Sequence, residues 1–258
     1  LVYETNGFEQ LNTISFPDSV HGWMVGDRPG DNLSYILHTS DGGESWTEQS
    51  TPLSTKLLDV HFRDSQTGFV LGPNSLQKSE DGGNTWREID LGDDPDIRLL
   101  KGMDFVDSTA WIFGSSGAFL KSIDSGESWT KVESLSAEVE HNAMDFVNAD
   151  TGVIVGQKGY REWVVLNTVD GGATWNEEVV AQENVTMLDV FFADDSTVFM
   201  AGRSGYVFRS QDAGFTWEEV ARLETANGTY LINWSLYFED SKRGWMASAL
   251  PGKEFIYI

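Results

Sequence analysis

Thr39-Ser40-Asp41-Gly42-Gly43-Glu44-Ser45-Trp46 follows the pattern [Ser/Thr]-x-Asp-x-Gly-x-[Ser/Thr]-Trp. The pattern returns at Ser79–Trp86, Ser122–Trp129, Thr168–Trp175 and Ser210–Trp217 with every fixed position kept. Its aspartates, Asp41, Asp81, Asp124, Asp170 and Asp212, recur every 40 to 46 residues. A period in this range belongs to solenoids, propellers and arrays built from one supersecondary unit. The box reads as a turn. Its Asp accepts backbone amides a few residues on, its Ser or Thr caps the same turn, and Gly43, Gly83, Gly126, Gly172 and Gly214 supply positive φ. Trp46, Trp86, Trp129, Trp175 and Trp217 then begin a strand and are expected to pack between sheets.

A common preamble precedes each box: a short alternating segment ending in Phe, a polar turn, and an apolar segment flanked by small residues. The first copy is Leu11 to Phe16, Pro17-Asp18-Ser19, then Gly22-Trp23-Met24-Val25-Gly26; the second is Leu57 to Phe62 followed by Gly68 to Gly72. Alternation over about five residues, with β-branched and aromatic enrichment and Gly/Asp/Ser punctuation, predicts strands and hairpins. No segment has a helical period. Each unit therefore carries four short strands, which at this repeat length make a propeller blade.

The repeats fall at 11–50, 57–90, 99–133, 141–179, 187–221 and 231–258, the last stopping before its box. Leu1-Val2-Tyr3-Glu4 occupies the register of a fourth strand, and an N-terminal strand that completed the last blade would remove an open sheet edge. The expectation is an all-β, single-domain β-propeller of six four-stranded blades, the closing blade made from residues 1–8 and 231–258. Seven blades is the alternative.

Composition narrows function. Seventeen Lys and Arg against 41 Asp and Glu give a formal net charge of −24. Such a surface repels phosphates, which argues against nucleic acid and against an anionic membrane face. The absence of cysteine removes disulfides, thiolate metal sites and Cys nucleophiles. No apolar run reaches the roughly 20 residues of a spanning helix. The chain begins without Met and without a basic start followed by an apolar stretch, as a chain with its leader removed or trimmed would.

The box resembles the Asp-box, or bacterial neuraminidase repeat, shared by sialidases, other glycoside hydrolases, sortilin-type receptors and non-enzymatic propellers. The fuller pattern, Phe16-Pro17-Asp18 to Gly22-Trp23-Met24-Val25-Gly26 leading into Thr39–Trp46, resembles the photosystem II stability/assembly factor propeller family over essentially the whole chain. That resemblance implies a chaperone holding membrane-protein intermediates through an arginine-lined patch. The arginines here include Arg28, Arg63, Arg98, Arg161, Arg203 and Arg243, set in an acidic background. A sialidase would need an arginine triad, a Tyr nucleophile with its Glu, an Asp acid/base and an Arg-Ile-Pro motif; no proline here follows Arg-Ile. Two carboxylates suffice for other glycosidases, so a glycan-acting or glycan-binding propeller stays open as the alternative.

Two places remain for a site. With the first-strand Phe residues facing the inter-sheet core, period two turns their neighbours to the opposite face, toward the channel of a propeller. That set includes His61, Asp104, Asp145 and Tyr237, and two positions earlier Asp59 and Asp189. A water-filled acidic channel is one reading, a hard cation held by these oxygens the other; no cofactor is otherwise expected. Unequal loops are the second place: Arg28 lies in a lengthened hairpin of the first unit, and Tyr160, Arg161 and Trp163 in that of the fourth, residue types common at binding hot spots. The expected protein is an exported, monomeric, non-enzymatic scaffold that binds another protein.

Overall fold

The computed structural model describes residues 10–28, 34–51, 56–92, 97, 99–159, 162–182, 185–225 and 227–249. Among them there is no α-helix, and hence no helix long and apolar enough to cross a membrane. The strands follow the box period. The first blade is β1 (Gln10–Ser15), β2 (Gly22–Asp27), β3 (Ser34–Thr39) and β4 (Thr47–Gln49), and the second is β5 (Asp59–Phe62), β6 (Gly68–Gly72), β7 (Ser75–Ser79) and β8 (Arg87–Ile89). The third is β9 (Leu100–Val106), β10 (Thr109–Gly114), β11 (Phe119–Ser122) and β12 (Thr130–Lys131). The fourth is β13 (Val139–Phe146), β14 (Gly152–Lys158), β15 (Glu162–Thr168) and β16 (Asn176–Gln182). The fifth is β17 (Met187–Phe192), β18 (Val198–Gly202), β19 (Tyr206–Ser210) and β20 (Glu218–Arg222), and the sixth shows β21 (Ile232–Asp240) and β22 (Arg243–Ala249).

Each sheet is an antiparallel meander in chain order. Six successive blades of this kind make the chain a β-propeller in fold class, as the repeat predicts. The expected pairing of residues 1–4 beside 253–258 lies outside the described residues.

Two compact units divide the chain. One comprises Leu1–Gly114 with Leu120–Thr130, the other Ser115–Phe119 with Lys131–Ile258. In the first, β1, β5 and β9 lie side by side. Its core joins Trp23, Val25 and Ile36 of one blade to Leu57, Val60, Phe62 and Val70 of the next. In the second unit β13, β17 and β21 lie side by side. Its core joins Val153, Val155, Trp163 and Val165 to Met187, Val190, Phe192 and Met200.

The Phe-then-Gly preamble has a steric cause. Phe62 pairs directly with Gly68, Phe146 with Gly152 and Phe238 with Gly244. A Cβ on Gly68 would stand 2.4 Å from the Phe62 ring. That ring has nowhere to retreat, because its other face stacks on Trp23 with centroids 3.6 Å apart. Gly68→Ala is therefore expected to destabilise the fold by about 1–2 kcal/mol, the usual cost of overpacking a filled core; urea denaturation measures it. The turn between is also determined by sequence: Asp18 accepts the amides of Val20 and His21, and Asp64 those of Gln66 and Thr67, all at 2.7 Å.

Candidate functional site

The boxes form one repeated hydrogen-bond lattice. In the first, Thr39 Oγ1 accepts the Gly43 amide at 2.9 Å and donates to Asp41 at 2.7 Å. Asp41 in turn accepts the Ser45 amide at 2.9 Å and the Ser45 hydroxyl at 2.6 Å. The same bonds recur around Asp81, Asp124, Asp170 and Asp212. The Ser45 hydroxyl and amide, then the Thr39 hydroxyl, hold the Asp41 carboxyl at about 2, well below its usual value. These carboxylates are locked as acceptors and are not poised to take a proton near neutrality. Ser79 is buried and accepts the Gly83 amide at 2.8 Å. Ser79→Ala orphans that amide and is expected to cost about 1–2 kcal/mol in urea melts.

Position four of the box also has positive φ, at Gly42, Gly82 and Gly171 but also at Ser125 (φ 66) and Ala213 (φ 57). There the amide reaches back to the preceding turn, as Gly42 N does to Val20 O at 2.8 Å. The backbone bond holds a conformation that side chains rarely adopt, so sequence variation at this position conceals its role. Trp46, Trp86, Trp129, Trp175 and Trp217 are half-buried; Trp86 and Trp217 pack against clusters shared by two blades, and Trp175 meets Phe119 of one blade and Phe146 of the next. Four of them stand edge-on to the first-strand Phe of their own blade, as Trp86 does to Phe62 at 6.0 Å and 82°. Trp23 and Trp111, on second strands, are the fully buried ones.

Several of the first-strand positions singled out for a channel tie neighbouring blades together. In the first unit Ser15 Oγ accepts the Phe62 amide at 2.9 Å. Asp59 accepts its neighbour Val60 N and, from the next blade, Met103 N, both at 2.9 Å. Desolvation between the strands, with Asp104 nearby, pushes the Asp59 carboxyl up to about 7. Asp104 accepts the Phe105 amide at 2.8 Å. His61 stacks on Phe105 at 4.6 Å, and desolvation, then Arg63, lowers it to about 4, so it is neutral at pH 7.

The second unit repeats the device. Asp145 accepts Phe192 N at 2.5 Å, and Asp189 accepts Leu236 N at 2.7 Å and Val190 N at 3.0 Å. Desolvation pushes Asp189 up to about 6. Tyr237 is 57% exposed and packs against Phe191 and Trp245. Among the described residues no group of three or more His, Asp or Glu side chains is arranged to hold a metal ion. Each of these aspartates accepts at least one backbone amide, and Asp59, Asp145 and Asp189 accept one from the next blade.

The loop candidates separate. Trp163 is 3% exposed and belongs to the fourth blade's core, so the reading of it as a binding-loop residue is corrected: it occupies β15, opposite Gln157 and Ala181. Tyr160 and Arg161 lie outside the described residues. Arg28 is exposed and ion-paired with Glu48. Other guanidiniums are also neutralised: Arg87 by Glu127, Arg209 by Glu218, and Arg243 by Glu239 and Asp240. Arg63 donates to the Asp107 carbonyl. Among the described residues each of these arginines has its own acceptor.

The family model described as photosynthesis system II assembly factor YCF48 matches residues 45–140 and 133–226. The chain belongs to the Ycf48 family. A photosystem II assembly lipoprotein Ycf48 from a Synechococcus strain is 31% identical over 125 residues, covering 47% of this chain and 36% of that protein. The chloroplastic photosystem II stability/assembly factor HCF136 of Oryza sativa subsp. japonica is 26% identical over 185 residues, covering 69% and 42%. The chain thus spans less than half the length of these two Ycf48-family relatives. A solved structure titled YCF48 bound to D1 peptide superposes with a TM-score of 0.59 at 19% identity, covering 94% of this chain and 89% of that one. That likeness is one of fold.

Proposed function

We propose that this Ycf48-family chain is a non-enzymatic, exported scaffold that binds a polypeptide segment of a membrane protein during its assembly. The observation that carries the reading is the family match across 45–226, joined to a near end-to-end fold likeness to a relative titled as bound to a D1 peptide. The site geometry agrees with it. The box carboxylates are held by their own turns, and the first-strand carboxylates by neighbouring amides. That leaves the conspicuous acids of the sequence serving architecture, where a glycosidase would set two of them across a cleft.

The test is binding of a D1-derived peptide to the immobilised chain, run beside a panel of fluorogenic glycosides. Saturable peptide binding without glycoside turnover is the expected result. Turnover of any glycoside, abolished by one carboxylate substitution, overturns the reading, as does failure to bind any membrane-protein segment from the native source.

A further inference from the structure

The end of the fifth blade holds an arginine in a setting unlike the others. Arg222, the last residue of β20, lies between two aromatic rings, its guanidinium carbon 4.3 Å from the Tyr206 centroid and 3.9 Å from that of Tyr230. Tyr206 begins β19 and is backed by Phe208, with ring centroids 5.8 Å apart. Tyr230 comes from the hairpin that follows β20, pinned by an antiparallel bridge to Glu224 and by Leu231 N donating to Leu223 O at 3.1 Å. One edge of the guanidinium is fixed as well, since Nε donates to the Ser204 carbonyl at 3.3 Å. The rings cover the faces and Ser204 takes Nε, which leaves the Nη edge. Arg222 is exposed and has no ion pair among the described residues.

A second guanidinium belongs to the same turn. Arg203 opens the 3-10 segment Arg203–Gly205, immediately before the Ser204 that accepts from Arg222. Its side chain is exposed and has no partner among the described residues. Ser204 has a left-handed backbone (φ 59), and Gly205 (φ +75) lies so close to Leu223 O that a Cβ would stand 2.1 Å away. The amide of Gly205 donates to Leu231 O at 2.7 Å, which ties turn and hairpin together. On a chain of net charge −24, most described arginines have carboxylate partners. Here two, linked through the Ser204 carbonyl, have none among the described residues, one of them held between aromatic faces.

We propose that Arg222, framed by Tyr206 and Tyr230 and assisted by Arg203, is a binding site for a single Glu or Asp side chain of a partner protein. A planar fork held between rings has lost most of its rotamer freedom, so less entropy remains to be given up when a carboxylate docks on it. The aromatic walls reduce hydration of the guanidinium and strengthen its charge-assisted bonds. The surrounding acidity selects for one carboxylate in an otherwise uncharged segment, because a run of acids meets the field of the whole chain; Glu224, exposed on the same hairpin, adds to that penalty. The site rests on the protein-binding reading above and gives it a specific contact.

The test is an NMR titration of the arginine Nε–H signals with a short peptide, capped at both ends, that carries one Glu among uncharged residues, beside the same peptide with Gln. The Glu peptide is expected to move the Arg222 signal saturably and the Gln peptide to leave it unmoved. Arg203→Ala, which removes no side-chain hydrogen bond or ion pair among the described residues, is expected to weaken the Glu peptide by about tenfold, as loss of one charged hydrogen-bond donor does. Arg222→Lys keeps the charge but not the fork and is expected to weaken it at least as much. No movement at millimolar Glu peptide, equal movement by both peptides, or wild-type affinity in Arg203→Ala overturns the site. Because Arg203→Ala leaves the aromatic stack intact, the result stands even if Arg222→Lys unfolds. Membrane-protein peptide binding that persists unchanged in both variants would sink this site while leaving the scaffold reading in place.

Discussion

Trp23→Ala is expected to destabilise the first unit by about 3–5 kcal/mol, the range for removing a buried aromatic from a packed core. Trp23 is fully buried, and its ring stacks on Phe62 at 3.6 Å on one side and His38 at 4.6 Å on the other. Its Nε1 donates to the Gly82 carbonyl at 3.2 Å, so one side chain of the first blade touches both the first strand and the box of the second. Alanine leaves a cavity between two rings and strips the Gly82 carbonyl of one donor, although Gln49 Nε2 still reaches it at 2.9 Å. Box Trp46 is half-buried and stands edge-on to Phe16, itself 43% exposed. Trp46→Ala is therefore expected to cost well under half as much. Paired urea denaturation curves decide between them, and equal losses would show that the box tryptophan carries the packing.

The second large effect concerns pH. Asp59 has its folded value raised to about 7, mainly by desolvation and further by Asp104, against an ordinary 3.8. A carboxyl raised in this way favours folding when protonated. Its contribution is fully present below the unfolded value near 3.8 and is lost as pH climbs through 7. Over pH 5 to 8 the wild-type chain should lose about 2–3 kcal/mol through this group, somewhat less than a fully enclosed acid would give. Asp59→Asn has no such titration, so the difference in stability between variant and wild type should drift in the variant's favour across that window. Parallel stability curves against pH would contradict this.

The box aspartates act in the opposite sense. Asp41, Asp124 and Asp170 are held at about 2 by hydrogen bonds from their own turns. Their contribution is present above 3.8 and fades only as pH falls toward 2. The two sets thus squeeze stability from both sides.

Much of the fold was legible because the repeat is a chain of local devices. Asp41 and Thr39 interact within four residues, and the Phe62–Gly68 pair within one hairpin, so periodic spelling reports them directly. Position four of the box was missed because its φ is enforced by a backbone bond, which lets Ser125 and Ala213 stand where Gly is elsewhere. Trp163 lies in a strand that begins at Glu162, where the unequal repeat spacing suggests a loop. The carboxylates lie on the strands expected, but their hydrogen-bond partners are not legible. Period two reports the face on which Asp59 lies, yet nothing in the spelling reveals that its oxygen reaches Met103 N, 44 residues on. The Arg222 cluster was invisible for a simpler reason: Tyr206, Arg222 and Tyr230 come from three elements with no common period.

The ties between first strands bear on how such a chain is inherited and cut. Ser15 to Phe62, Asp145 to Phe192 and Asp189 to Leu236 each place the acceptor in one repeat and the amide 47 residues further on. A tandem copy of one repeat arrives with both halves of a new junction, an acceptor facing forward and an amide facing back, and so can be spliced in without rewriting its neighbours. A fragment severed between two repeats instead strands a carboxylate on one piece and its amide on the other. Complementary fragments split there should find each other in solution, whereas fragments split inside a box should not.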